Sequence, residues 1–208
     1  MQELKISVSK IMGTCTSDPP MECGDYFTVS NGDIRIPQGS FCLWALNSIM
    51  PLIPAKERKL GERDDDWMWR VHHAQCPDPN GKVIMKIKQV GEVNKEKKIN
   101  TNPLDQTELP DIKKIDQVPG KPRNLRVFVK EVNGKCTSGM KAGDYFILRS
   151  GRMILPADSH FCLYALQVVI PFLAAKQRYL EDGDWLKDDS EFICSDPAGN
   201  VLMRVEQI

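Results

Sequence analysis

Three cysteine positions occur in both halves of the chain. Cys15 and Cys136 open matching Cys-Thr-Ser segments, Cys42 and Cys162 lie in Phe-Cys-Leu-(Trp/Tyr)-Ala-Leu, and Cys76 and Cys194 open Cys-x-Asp-Pro. Cys23 has no counterpart, since Ala142 stands in its place. A thiol can act as nucleophile, redox centre or metal ligand, and its ionisation decides which. Cys42 and Cys162 fall where a helix is expected to begin, and the free N–H groups of a first turn lower a thiol's pKa. They are therefore the candidate catalytic residues. His160, two residues before Cys162, makes the second of them the thiol expected to be more perturbed. The competing reading is that a cysteine between Phe and Leu packs as a small hydrophobe. If a metal is bound, Cys15, Cys42 and Cys76 would form one ligand triad and Cys136, Cys162 and Cys194 the other. No pair has the Cys-x2–4-Cys spacing of structural zinc sites, and no histidine is common to the halves. The sequence requires no cofactor.

Few charged residues are held in both halves: Asp25/Asp144, Lys56/Lys176, Arg58/Arg178, Asp66/Asp184 and Asp78/Asp196. Asp25 and Asp144 follow glycine ahead of a strand, the place of a turn-forming side chain. Lysine and arginine two apart on a helix point in different directions, so a solvated end and an ion-pair partner are expected rather than a joint clamp. Trp44/Tyr164 and Trp67/Trp185 could wall a ligand pocket beside Lys56, Lys176, Arg58 and Arg178, although such aromatics also anchor cores and interfaces. No Cys-His or Ser-His-Asp set recurs in both halves, and no Gly-x-Gly-x-x-Gly loop or Cys-x-x-Cys pair is present. His72-His73 occurs in the first half alone and reads as a surface or partly buried pair.

The elements that would position these groups are also written twice. The offset between matching blocks runs from 121 residues (Cys15 to Cys136) to 118 (Cys76 to Cys194). Leu4 to Ile11 and Leu125 to Val132 alternate apolar and polar residues, as half-buried strands do. A second strand is expected from Tyr26 to Val29. An apolar helix should follow, capped at Ser40 in the first half and at Asp158 or Ser159 in the second. Pro51 and Pro171 must kink it or divide it, and Lys56 and Lys176 should bring it to solvent. Met68 to Gln75 and Val83 to Val90 read as a closing hairpin across Pro77-Asp78-Pro79-Asn80-Gly81. The expected fold is α+β: two tandem copies of a small β-β-α-β-β domain, residues 1–90 and 125–208, packed through their helices with approximate two-fold symmetry. Residues 91–124 are polar, lack aromatics and have the composition of a linker.

The chain has 208 residues, with Lys+Arg and Asp+Glu balanced at 28 each. Neither half segregates one sign, which argues against nucleic acid or anionic lipid as partner. The first residues hold no apolar core and no apolar run is long enough for a bilayer, so no signal peptide and a cytoplasmic location are expected. In that setting the seven cysteines read as thiols rather than disulfides.

Taken together, the Cys near the first loop, Gly-Asp opening a strand, Phe-Cys-x-x-Ala with a following Pro, and late Cys-x-Asp resemble a family of small bacterial and archaeal proteins. Its members have about ninety residues, the size of one small domain. The motif residues here are Cys15, Gly24-Asp25, Phe41-Cys42, Ala45, Pro51, Cys76 and Asp78, then Cys136, Gly143-Asp144, Phe161-Cys162, Ala165, Pro171, Cys194 and Asp196. The resemblance implies the repeat boundaries and carries no activity. The leading expectation is an accessory unit that binds a small molecule or a protein partner, forms a pseudo-dimer within one chain, and leaves further oligomerisation open. Its rivals are a thiol-dependent enzyme using Cys42 or Cys162 and a metal-binding protein using the cysteine triads.

Overall fold

The computed structural model describes residues 1–58, 67–92, 122–188 and 190–208. It is a mixed α+β protein of two compact units. One unit comprises Met1–Ile99 with Gly151–His160, the other Asn100–Ser150 with Phe161–Ile208. A short stretch of the second half thus belongs to the first unit. The spacer expected at 91–124 falls for the most part outside the described residues.

The first half runs β1 (Gln2–Ile11), β2 (Tyr26–Ser30), β3 (Asp33–Arg35), β4 (Ser40–Cys42), α1 (Leu43–Ile49), a 3-10 turn (Met50–Leu52), α2 (Ile53–Lys56), α3 (Trp67–Arg70), β5 (His73–Gln75) and β6 (Val83–Glu92). Its strands lie in the order β3-β2-β1-β6-β5, each antiparallel to its neighbour. Alternation along β1 and β6 puts Leu4, Ile6, Val8, Val83, Met85 and Ile87 into the core, where Phe27 meets Phe41 edge-on at 4.9 Å. The β2–β3 hairpin turns on Asn31-Gly32, both at positive φ, the two-residue turn that suits the strand twist.

Strand β4 corrects the expected helix start. Ser40 is no cap: Ser40, Phe41 and Cys42 pair with Ile154, Met153 and Arg152 of β9 (Arg152–Ile154), and the helix begins at Leu43 with Cys42 as N-cap. The partner strand is remote in sequence, so local pattern could not reveal this ladder. The expected strand from Met68 is likewise shorter, because Trp67–Arg70 forms a helical turn.

The second half runs β7 (Leu125–Val132), β8 (Tyr145–Arg149), β9, β10 (Phe161–Cys162), α4 (Leu163–Lys176), α5 (Trp185–Asp188), β11 (Glu191–Ile193) and β12 (Val201–Gln207). Its sheet has the order β11-β12-β7-β8, and Phe146 meets Phe161 edge-on at 4.9 Å. Asp158 and Ser159 do not cap α4, whose N-cap is Cys162.

The two helices treat proline differently. In α4, Pro171 is tolerated inside one continuous helix. It lies on the exposed stripe Tyr164, Gln167, Pro171 and Ala174, so the carbonyl it leaves without a donor faces water. Burial of Leu163, Leu166, Val169, Ile170 and Leu173, at roughly 2 kcal/mol each, outweighs the roughly 3 kcal/mol that an internal proline costs. The first half has Pro54 where α4 has Ala174, and this second lost donor breaks the helix into α1, the 3-10 turn and α2.

Candidate functional site

The helix-start thiols sit where the sequence put them, but their ionisation runs against expectation. Cys42 and Cys162 are buried, and neither makes a side-chain cap bond to its helix. Burial pushes the Cys162 thiol up; the Ser138 hydroxyl and the first-turn amides of Ala165 and Tyr164 offset only part of this. The buried imidazole of His160 places Nε2 3.9 Å from Asp33 Oδ2. Cys42 is raised too, first because it shares a hydrogen bond with Cys76 and then by burial. The same bond draws Cys76 down to about 7. Within this pair the shared bond raises the helix-start Cys42 and lowers Cys76, at the end of β5.

Around it the first loop folds against the closing hairpin. Thr16 Oγ1 donates to Asp78 Oδ2 at 2.9 Å. A Cβ on Gly81 would come within 2.7 Å of Asp78 Oδ2 and 3.1 Å of Cys15 Cα, so the loop and hairpin approach closely at this glycine. Cys15 is half-buried and acts on Cys76 through space. Cys136 is half-buried and Cys194 buried in the second half. Among the described residues, no group of three His, Cys, Asp or Glu side chains is arranged to hold a metal ion.

The aromatic candidates do not gather into a pocket. Trp44 and Tyr164 are each 42% exposed on the outer stripe of their helices, and Trp67 and Trp185 are more open still. Trp185 leans edge-on against Phe172 at 6.1 Å. Arg58 is exposed, while Arg178 pairs with Asp184 at 2.6 Å as its ion-pair role requires. Asp66 lies outside the described residues. Asp25 and Asp144 close turns by accepting the amides of Glu22 at 3.0 Å and Lys141 at 2.7 Å.

Lys56 and Lys176 depart most from expectation: they are 3% and 5% exposed rather than solvated. Lys176 donates to Leu186 O and Ser190 Oγ, and Lys56 to Met68 O. The helix phase explains this, because Leu46, Ile49, Ile53 and Lys56 share one buried stripe.

Lys56 leads to a site that motif reading missed. It borders a cavity of about 400 Å³ together with His72, Lys86, Ile87, Lys88 and Gln89. Strand register supplies the cations. Lys88 stands directly opposite Lys5, and Lys86 opposite Ser7 and His73, on the outward face of the sheet. Like charges directly across an antiparallel pair are destabilising. Lys5 lies over the Tyr26 ring at 3.9 Å, and Lys86 and Lys88 make no ion pair among the described residues. Burial, then Lys56, His73 and Lys86, hold the His72 pKa below the ordinary histidine value.

The matching face of the second half is neutralised. Arg126 stands opposite Glu206 and bonds it at 2.8 Å. Glu191 takes the place of His73, lying 2.8 Å from Lys130 and 3.6 Å from Arg204. Where the first half has His72, Ser190 bonds Lys176 directly. The exchanges Lys88/Glu206, His73/Glu191 and His72/Ser190 are readable in the sequence only as differences between the halves, not as shared motifs.

No family model, curated protein or solved structure matches this chain.

Proposed function

We propose that the chain is a small-molecule-binding protein whose first half takes a small, multiply charged anion, of the phosphate or phosphate-ester class, in the cavity beside Lys56. The carrying observation is that Lys56, Lys86, Lys88 and His72 all border one open pocket. The volume suits a small ligand. An anion there would relieve the opposition of Lys5 and Lys88, and each lysine within about 4 Å would contribute on the order of 1–4 kcal/mol of attraction at surface dielectric values.

The same reading treats the two halves as copies of one β-β-α-β-β domain, only one of which keeps an open cationic site. Matching main-chain bonds support this: Gly24 N to Val8 O and Gly143 N to Val129 O, then Cys76 N to Val83 O and Cys194 N to Val201 O. A reducing, cytoplasmic setting fits seven free cysteines. No helix among the described residues is long and apolar enough to cross a membrane.

Binding is tested with inorganic phosphate and pyrophosphate at low ionic strength, by calorimetry and by NMR titration of His72. A bound dianion stabilises the imidazolium, so the His72 midpoint should rise with ligand and affinity should increase as pH falls through it. Lys88→Glu, which installs the charge found at Glu206, is expected to weaken pyrophosphate at least tenfold and to leave Cys162 alkylation unchanged. An unmoved His72 midpoint at saturating pyrophosphate, or unchanged affinity in Lys88→Glu, defeats the proposal.

A further inference from the structure

The outward face of the first sheet runs from the anion site to an aromatic ring. Lys86 and Lys88 border the pocket. Across the ladder from β6 to β1, Lys86 stands opposite Ser7 and Lys88 opposite Lys5. Ser7 in turn stands opposite Tyr26, the first residue of β2. These side chains point away from the core, because their strand neighbours Ile6, Phe27, Met85 and Ile87 are buried. Lys86 and Tyr26 are therefore two strand spacings apart, about 10 Å, and the side chain between them in that row is a serine.

The matching row of the second half is filled. Phe128 takes the place of Ser7, opposite Tyr145 on one side and Arg204 on the other. Arg126 lies over the Phe128 ring at 4.7 Å. In the first half it is Tyr26 that carries the cation, with Lys5 Nζ 3.9 Å from its ring centroid. Lys5 also faces Lys88 directly across the ladder, so an anion held between the two ammonium groups draws Lys5 off the ring. The ring face it leaves is a flat surface of the kind on which nucleobases stack. A base stacked on an aromatic ring gains more than an exposed cation–π contact loses, and the exchange therefore runs toward the ligand.

We propose that the anion taken by the first half is a nucleoside phosphate, with its phosphates at Lys56, Lys86 and Lys88, its sugar over Ser7 and its base on Tyr26. The assignment rests on the anion site and names the class of its ligand. Inorganic phosphate and pyrophosphate meet the same cations but do not reach Tyr26, whereas a nucleoside diphosphate spans the two strands between. Ser7 leaves room for the sugar, and its hydroxyl can donate to or accept from a ribose hydroxyl. The second half lacks both parts of such a site, with Glu206 in place of Lys88 and Phe128 in place of Ser7.

The test compares ADP with pyrophosphate on the full chain at low ionic strength, by calorimetry and by NMR. ADP is expected to bind about tenfold more tightly than pyrophosphate, the gain of one stacked base, and its adenine protons should show nuclear Overhauser contacts to the Tyr26 ring. Tyr26→Ala, and Ser7→Phe, which installs the residue of the second half, should each bring ADP to within about twofold of pyrophosphate. Should Tyr26→Ala fold poorly, Ser7→Phe and the wild-type contacts decide. Pyrophosphate binding with ADP no tighter defeats the nucleotide assignment and leaves the anion site standing, whereas failure of both ligands to bind defeats the two together. Adenine contacts to residues other than Tyr26, or a preference for ADP that survives Ser7→Phe, also overturn the assignment.

Discussion

Replacing Arg152 with alanine is expected to destabilise the unit built from Met1–Ile99 and Gly151–His160 by about 3 kcal/mol, the larger of two stability effects foreseen here. Arg152 is almost fully buried. Its guanidinium donates to Ser40 Oγ at 3.0 Å, Ser40 O at 3.1 Å, Pro19 O at 2.9 Å and Met21 Sδ at 3.1 Å. Alanine would take the donor from three part-buried oxygen acceptors, at about 1 kcal/mol each, and would open a void where the long side chain packed. Arg152→Lys should recover part of the loss, because one ammonium cannot reach acceptors that the planar fork meets together. Urea unfolding with an unchanged slope would read this as a shift of midpoint. A loss below about 1 kcal/mol for Arg152→Ala would mean that water replaces the guanidinium and that the buried fork is not what fastens β9 to β4.

Arg152 also shows where sequence reading stops. Alternation found β1 and β7, and the Gly-Asp pairs found the turns before β2 and β8, because both signals are local. Strand β4 depends on Met153 and Ile154, more than a hundred residues away, and Phe41-Cys42 in isolation looks like the first turn of the helix it precedes. Lys56 was legible in principle. Its place three residues after Ile53 and seven after Ile49 sets it on the buried stripe, and this phase outweighs its charge. The cationic cavity depends on cross-strand register, which sets Lys88 against Lys5 and Glu206 against Arg126. Register is a property of paired strands, and one strand's sequence does not contain it.

Glu57→Gln is expected to stabilise the first unit at pH 7 by about 1 kcal/mol, and the gain should disappear toward pH 4. Glu57 is completely buried just after α2. Its Oε1 accepts the Gly32 amide at 2.9 Å, whereas Oε2 has no hydrogen-bond partner. Burial pushes its carboxyl above the usual range. The amides of Gly32 and Asn31 pull it down, Asp33 pushes it up again, and the terminal ammonium opposes that. A carboxyl whose folded pKa exceeds its unfolded value, about 4.3, binds more protons folded than unfolded between the two. Its penalty is therefore full above the folded pKa and is relieved as pH falls toward the unfolded one. Glutamine keeps an oxygen for the Gly32 amide and turns an N–H donor where a second carboxylate stood near Asp33. The second half already carries this residue: Gln177 donates Nε2 to Arg123 O at 2.9 Å. Unfolding curves of both proteins between pH 4 and pH 8 should converge on the acidic side. Parallel curves, or a variant less stable at pH 7, would show that Glu57 is matched to its site as the carboxylate.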